Sequence, residues 1–124
     1  MVDEISEECG VIGIWGHPTA SRIAAMGLFA MQHRGQEASG IAATDGQEVR
    51  HVRQLGLVSR LTEYCAENGE LPGHAAIGHV RYSTAGGGAL INAQPFLIRH
   101  KRGALSIAHN GNLVNADILR GQLE

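Results

Sequence analysis

Cysteine is scarce in this chain: Cys9 and Cys65 are the only two among 124 residues. Two cysteines cannot build a disulfide framework, and these two lack the paired spacing of a metal site, so a reducing compartment fits. Aromatic residues are only 4% of the chain, which argues against a base-stacking platform for nucleic acid. Neither sign of charge dominates. Ten basic residues face twelve acidic ones, for a net charge of −2. With no basic patch, nucleic acid is not expected as a partner. No apolar run is long enough to span a bilayer. The leader Met1-Val2-Asp3-Glu4-Ile5-Ser6-Glu7-Glu8 is acidic and lacks the apolar centre of a secretory signal. Internal repeats and low-complexity linkers are also missing. The expectation is a soluble, cytoplasmic protein with no membrane partner.

What is present fits one ordinary domain, at 124 residues and 44% apolar. Glycine stands out, with 17 residues, about twice the roughly 7% average. That many glycines predicts tight turns and places where a ligand or second backbone comes close.

Val11 to Trp15 reads as a short buried strand, broken by His17-Pro18-Thr19. Ser21 to His33 reads as a helix with Thr19 or Ser21 as N-cap. Its near-continuous apolar run, from Ile23 to Met31, predicts cover on both sides. Arg34-Gly35 ends it. Ser39 to Thr44 is a strand, Asp45-Gly46 a hairpin turn, and Glu48 to Leu57 the returning strand. A second helix follows at Ser59 to Glu67, punctuated by Asn68-Gly69 and Pro72-Gly73. Ala75 to Tyr82 is a fourth strand, and Ser83 to Pro95 a loop containing Gly86-Gly87-Gly88. Phe96 to His100 and Ala104 to His109 form a further strand pair, and Asn115 to Leu123 begins a helix. Strands with helices to cover their faces make an α+β layered sandwich.

Four stretches carry possible chemistry. Cys9-Gly10-Val11-Ile12-Gly13-Ile14 places a cysteine at the opening of a strand. A thiolate there is a strong nucleophile if a base can take its proton; otherwise Cys9 is a small core residue. Gln32-His33-Arg34-Gly35-Gln36-Glu37 is, taken alone, a solvated helix end whose basic residues complement the dipole. In Gly78-His79-Val80-Arg81-Tyr82-Ser83-Thr84-Ala85-Gly86, alternation sets Ile77, His79 and Arg81 on one face and Val80 and Tyr82 on the other. The Arg81 fork suits bidentate capture of a carboxylate, and an internal ion pair with an acidic side chain explains it equally well. His79 reads as a core histidine. The glycine run lacks the lysine and helix start of a phosphate-binding loop and reads as a hinge. Ala108-His109-Asn110-Gly111-Asn112 is by default a turn, though an amide NH₂ beside a bare backbone N–H also suits an oxyanion hole.

Taken together, CGVIGI, QHRGQEASGI, GHVRYSTAG with AQPF behind it, and AHNGNLVNA occur in a specific order and spacing. In this the chain resembles, from Cys9 to its end, the glutaminase domain of the amidophosphoribosyltransferases. These are class II glutamine amidotransferases of the N-terminal nucleophile hydrolase superfamily. QHRGQE and RYSTAG favour that family over glucosamine-6-phosphate synthase and other class II enzymes; a catalytically inactive folded fragment is the other alternative.

The resemblance implies an α+β, four-layer αββα fold and hydrolysis of glutamine to supply ammonia for phosphoribosylamine synthesis from phosphoribosyl pyrophosphate. Residues 1–8 become a propeptide, since a free α-amine titrating near about 7.7–8 is a good general base and an amide nitrogen is not. Cys9 is then the nucleophile and its own amine the base. The Asn110 side chain and Gly111 N–H form the oxyanion hole. Arg81 holds the substrate α-carboxylate with Thr84 nearby, and Arg34 and Tyr82 gate the site or lie close to it. Residues 9–124 would be the first part of a glutaminase domain that continues past Glu124 into a phosphoribosyltransferase domain. The acidic residue for the substrate amine, magnesium, any 4Fe–4S cluster and homo-oligomer contacts are expected in that further part, and no metal or cofactor in this segment. Half a sandwich should leave sheet faces and edges exposed.

Overall fold

Small and β-branched residues alternating over Gly10–Trp15 (β1) bury Gly10, Ile12 and Ile14 partly and leave Val11, Gly13 and Trp15 outward. The computed structural model describes residues 9–32, 36–82, 90–109 and 116–123. After β1 come α1 (Ala20–Met31), β2 (Gln36–Thr44), β3 (Val49–Leu55), α2 (Val58–Asn68) and β4 (Ala75–Tyr82). A short 3₁₀ turn at Leu90–Asn92 precedes β5 (Phe96–His100), β6 (Gly103–Ile107) and α3 (Ala116–Leu123).

The first four strands form an antiparallel sheet in the order β1-β4-β2-β3, and β5 and β6 form a separate hairpin. On one face of the larger sheet, Ile41, Ala43, Ala76, Val80 and Tyr82 meet Ala24 and Leu28 of α1 and Val58 and Leu61 of α2. The other face carries Gly40, His79 and Arg81, and Gln94 and His109 at the ends of the hairpin lie against it. The described layers are therefore helices, sheet, hairpin. This is the expected α+β sandwich.

The elements follow from local chemistry. Gly46 takes φ +93° in the β2–β3 turn, where Asp45 Oδ1 accepts the N–H groups of Gln47 and Glu48, both at 2.9 Å. β3 stops at Leu55, short of the expected Leu57, because Gly56 turns at φ +93° and Leu57 becomes the N-cap of α2. The Gln32 side chain satisfies one of the unpaired donors at that helix start, accepting the Val58 N–H at 3.1 Å.

One of two expectations for α1 holds in position and the other needs correction. Thr19 occupies the N-cap position without a capping bond: its hydroxyl lies 3.1 Å from His17 Nδ1, while the Ser21 hydroxyl donates to the Leu71 carbonyl at 2.8 Å. The helix is also covered on one side only. Ala20, Ala24 and Leu28 recur every four residues and are fully buried, whereas Met26 and Phe29 are 67% and 57% exposed. Both line a 440 Å³ cleft with Cys65 of α2. The helix ends at Met31 with no basic residue in its last turn; His33 and Arg34, the basic residues expected to complement its dipole, lie with Gly35 outside the described residues. The uncovered surface expected of half a sandwich is present at Trp15 on β1 and at Ile98, Leu105 and Ile107 on the hairpin.

Candidate functional site

The β1–β4 register brings two of the sequence candidates to one corner of the sheet. Gly10 pairs with Val80 at the end of this ladder, and Cys9 and Arg81 are the next residues along their two segments. Cys9 is half-buried, and its Sγ lies 3.8 Å from the Tyr82 carbonyl oxygen, to which the thiol donates. Cys65, the other cysteine, sits on α2, where burial and then the nearby Glu70 carboxylate push its thiol up from the ordinary value. A thiol held protonated is a poor nucleophile. Of the two cysteines, Cys9 has the position for chemistry.

Arg81 stands on the sheet face opposite the helices. Its Nε donates to Glu37 Oε2 at 3.2 Å and its Nη1 to the Asn92 carbonyl at 3.4 Å. Glu37 reaches it because β2 bulges: Gln36 pairs with Tyr82 and Ala38 with Arg81, which makes Glu37 the extra residue. The internal ion pair considered for Arg81 is thus present. It leaves the side chain 31% exposed at the same corner as Cys9. Tyr82 contributes its carbonyl to the surroundings of Cys9, while its ring is buried and its hydroxyl donates to the Met31 carbonyl at 3.2 Å. That bond ties the end of α1 to the end of β4.

His79, two residues back from Arg81, is fully buried. A carbonyl oxygen can only accept, so the 3.1 Å contact from His79 Nε2 to the His109 oxygen puts the ring proton on Nε2. Burial lowers its pKa to about 4; the hydrogen bond to the His109 carbonyl opposes that shift, and like-charge repulsion from His109 and Arg81 adds to it. The ring is neutral at pH 7. The core-histidine reading holds, with one qualification: its Nδ1 is buried with no hydrogen-bond partner among the described residues.

Through His109 the fourth motif reaches the same face, and Asn110 and Gly111 follow that residue directly in the chain. Asn110, Gly111, Thr84 and Arg34 themselves lie outside the described residues. Sequence reasoning gave no role to Glu37, Gln94 or Gln32. In the sequence Gln94 stands out only as part of AQPF. Among the described residues no group of three or more His, Cys, Asp or Glu side chains could hold a metal ion.

The family model for class-II glutamine amidotransferases matches residues 27–123. The chain belongs to that family. Among its relatives, the amidophosphoribosyltransferase of Bacillus subtilis is 52% identical over 124 residues, covering 97% of this chain and 25% of that protein. The chloroplastic amidophosphoribosyltransferase of Vigna aconitifolia is 52% identical over 118 residues, covering 95% and 24%. A solved structure of the allosteric regulatory enzyme of purine biosynthesis superposes with a TM-score of 0.84 at 50% identity, over 91% of this chain and 24% of that one. The chain therefore spans about a quarter of the length of these three relatives. None of its described helices is long and apolar enough to cross a membrane.

Proposed function

We propose that this chain is the N-terminal part of the glutaminase domain of an amidophosphoribosyltransferase, with Cys9 as nucleophile. The observation that supports it most is the convergence at one sheet corner. The β1–β4 ladder ends at Gly10–Val80, next to Cys9 and Arg81, and the His79 contact holds the residue before Asn110 on the Arg81 face. Nucleophile, carboxylate fork and candidate oxyanion donors then approach one substrate from three segments of the chain.

In this reading residues 1–8 are removed, freeing the α-amine of Cys9. The amine takes the thiol proton as Sγ attacks the glutamine carboxamide carbon. The Asn110 NH₂ and Gly111 N–H stabilise the negative charge that develops on the carboxamide oxygen. When the C–N bond breaks, the same amine returns the proton to departing ammonia, leaving a thioester. Water attacks the thioester and releases glutamate and the thiol. Arg81 holds the substrate α-carboxylate beside Thr84, with Arg34 and Tyr82 at the entrance.

The ammonia would serve phosphoribosylamine synthesis from phosphoribosyl pyrophosphate in a phosphoribosyltransferase domain beyond this segment. Magnesium, any 4Fe–4S cluster and the contacts of a homo-oligomer are assigned to that part. A cytoplasmic site suits the thiol chemistry, and the relative from Vigna is a chloroplastic protein by name.

The test is made on the full-length enzyme. Intact mass should show loss of the first eight residues. Cys9→Ala should abolish both glutaminase activity and covalent labelling by diazo-oxo-norleucine, while ammonia-dependent synthesis survives. Loss of labelling in Cys65→Ala but not in Cys9→Ala would overturn the assignment.

A further inference from the structure

His109 is held at both ends of its own peptide units by buried side chains from elsewhere in the chain. Its N–H donates to Gln94 Oε1 at 2.7 Å, and its carbonyl accepts from His79 Nε2 at 3.1 Å. Gln94 is 5% exposed and His79 0%.

The segment carrying Gln94 is itself pinned to the sheet by three strands. Arg81 of β4 donates to the Asn92 carbonyl, and Arg53 of β3 donates to the Ala93 carbonyl at 2.8 Å. On β2, the Gln94 carbonyl lies so close to Gly40 that a Cβ built there would stand 2.2 Å from it. The hairpin end is thus locked to the sheet face that carries Arg81.

Among the described residues a single hydrogen bond explains a histidine at position 79. Its second ring nitrogen is buried without a partner among the described residues, a desolvation cost that a hydrocarbon side chain would not carry. What the imidazole supplies is a rigid, correctly aimed N–H on one carbonyl. The residues that follow that carbonyl are Asn110 and Gly111.

We infer that His79 and Gln94 are positioning residues for glutamine hydrolysis: together they fix the backbone of His109, the residue that leads directly into Asn110 and Gly111. This rests on the glutaminase reading above. Neither residue touches substrate. Their effect is geometric, and a displacement of about 1 Å at a reacting centre costs on the order of 100-fold in rate.

The experiment uses full-length, processed enzyme and compares His79→Leu, His79→Gln, Gln94→Leu and the His79→Leu/Gln94→Leu double variant. Ammonia-dependent synthesis, unchanged throughout, reports an intact phosphoribosyltransferase domain, and a cooperative melting transition reports a folded glutaminase domain. His79→Leu should lower glutaminase kcat about 10–100-fold with the KM for glutamine within about threefold of wild type. His79→Gln, whose amide NH₂ can reach the same carbonyl, should recover most of that loss. Gln94→Leu should match His79→Leu, and the double variant should be no worse than the poorer single, because both release the same residue.

A His79→Leu enzyme with wild-type kcat, or equal losses in His79→Leu and His79→Gln, would overturn the inference. Asn110→Asp run in parallel separates the two layers. If it is silent, the oxyanion reading itself fails. If it is crippling while His79→Leu is silent, only the clamp fails. Should the apolar variants not fold, hydrogen exchange on the wild-type enzyme decides: the His109 amide should be strongly protected, and exchange at the rate of an exposed amide would sink the clamp.

Discussion

Arg81 Nε stands 3.2 Å from Glu37 Oε2 because a β-bulge inserts Glu37 between two residues that pair normally with β4. An unbulged β2 would turn position 37 to the helix side of the sheet, away from the guanidinium. The pair is partly buried, with side chains 31% and 14% exposed, so it fixes the plane of the guanidinium at the corner shared with Cys9.

Replacing each partner separates structural from substrate-binding use of Arg81. Arg81→Lys keeps the charge but loses the fork. If Arg81 captures the glutamine carboxylate, its KM should rise and kcat/KM should fall by about 1.5–3 kcal/mol, the worth of one charged hydrogen bond. Glu37→Gln leaves the fork in place and should cost mainly stability. Steady-state kinetics beside thermal melting reads both. Unchanged glutamine kinetics in a folded Arg81→Lys enzyme would reduce Arg81 to an ion-pair partner.

Gly40 tests the close approach of the two layers. An alanine Cβ would press on the Gln94 carbonyl at 2.2 Å and on Arg53 Cγ at 3.0 Å, and a backbone atom cannot swing aside. Gly40→Ala should therefore destabilise by about 1–3 kcal/mol, the usual cost of overpacking. A denaturant titration measures it. A neutral result would mean that the 92–94 segment is free to lift from the sheet.

Much of this was legible beforehand because strand alternation and glycine punctuation are local signals. β4 was expected, and is found, at Ala75 to Tyr82. The cover of α1 was not legible. A run of apolar residues does not show that Ala20 and Ala24 face the sheet while the larger Met26 and Phe29 face outward. Cys9 and Arg81 could be singled out by residue type and motif. Glu37 could not be paired with Arg81, since its place depends on a one-residue register slip. Gln94 was hidden for another reason: its partner His109 is 15 residues away and meets it only when the hairpin folds back.

His79 should make stability depend on pH in acid. Its folded pKa, lowered to about 4 by burial, lies below the ordinary 6.5. Between those values the unfolded chain binds more protons than the folded one. The contribution is fully present above about pH 6.5 and is lost as pH falls towards 4, at up to about 1.4 kcal/mol per pH unit. His79→Gln, which has nothing to titrate, should show a flatter decline. Unfolding midpoints at pH 7, 6 and 5 for both proteins provide the comparison, and parallel curves would contradict a buried neutral imidazole.

Asn110 is where a turn and an oxyanion hole make opposite forecasts. As a turn residue it is valued for tolerating positive φ, which Asp tolerates nearly as well. Asn110→Asp would then leave turnover intact. As an oxyanion donor it supplies an N–H₂ where negative charge develops, and Asp replaces that donor with an acceptor and adds a repelling charge. Loss of one such donor typically costs about 10²–10³ in kcat, or roughly 2.7–4 kcal/mol. The expected outcome is a fall of at least that size, with an unchanged melting temperature and little change in glutamine binding. Turnover is to be measured on the full-length enzyme beside its thermal stability. A folded Asn110→Asp enzyme within about threefold of wild type, well short of the donor-loss range, would return the site to an ordinary turn.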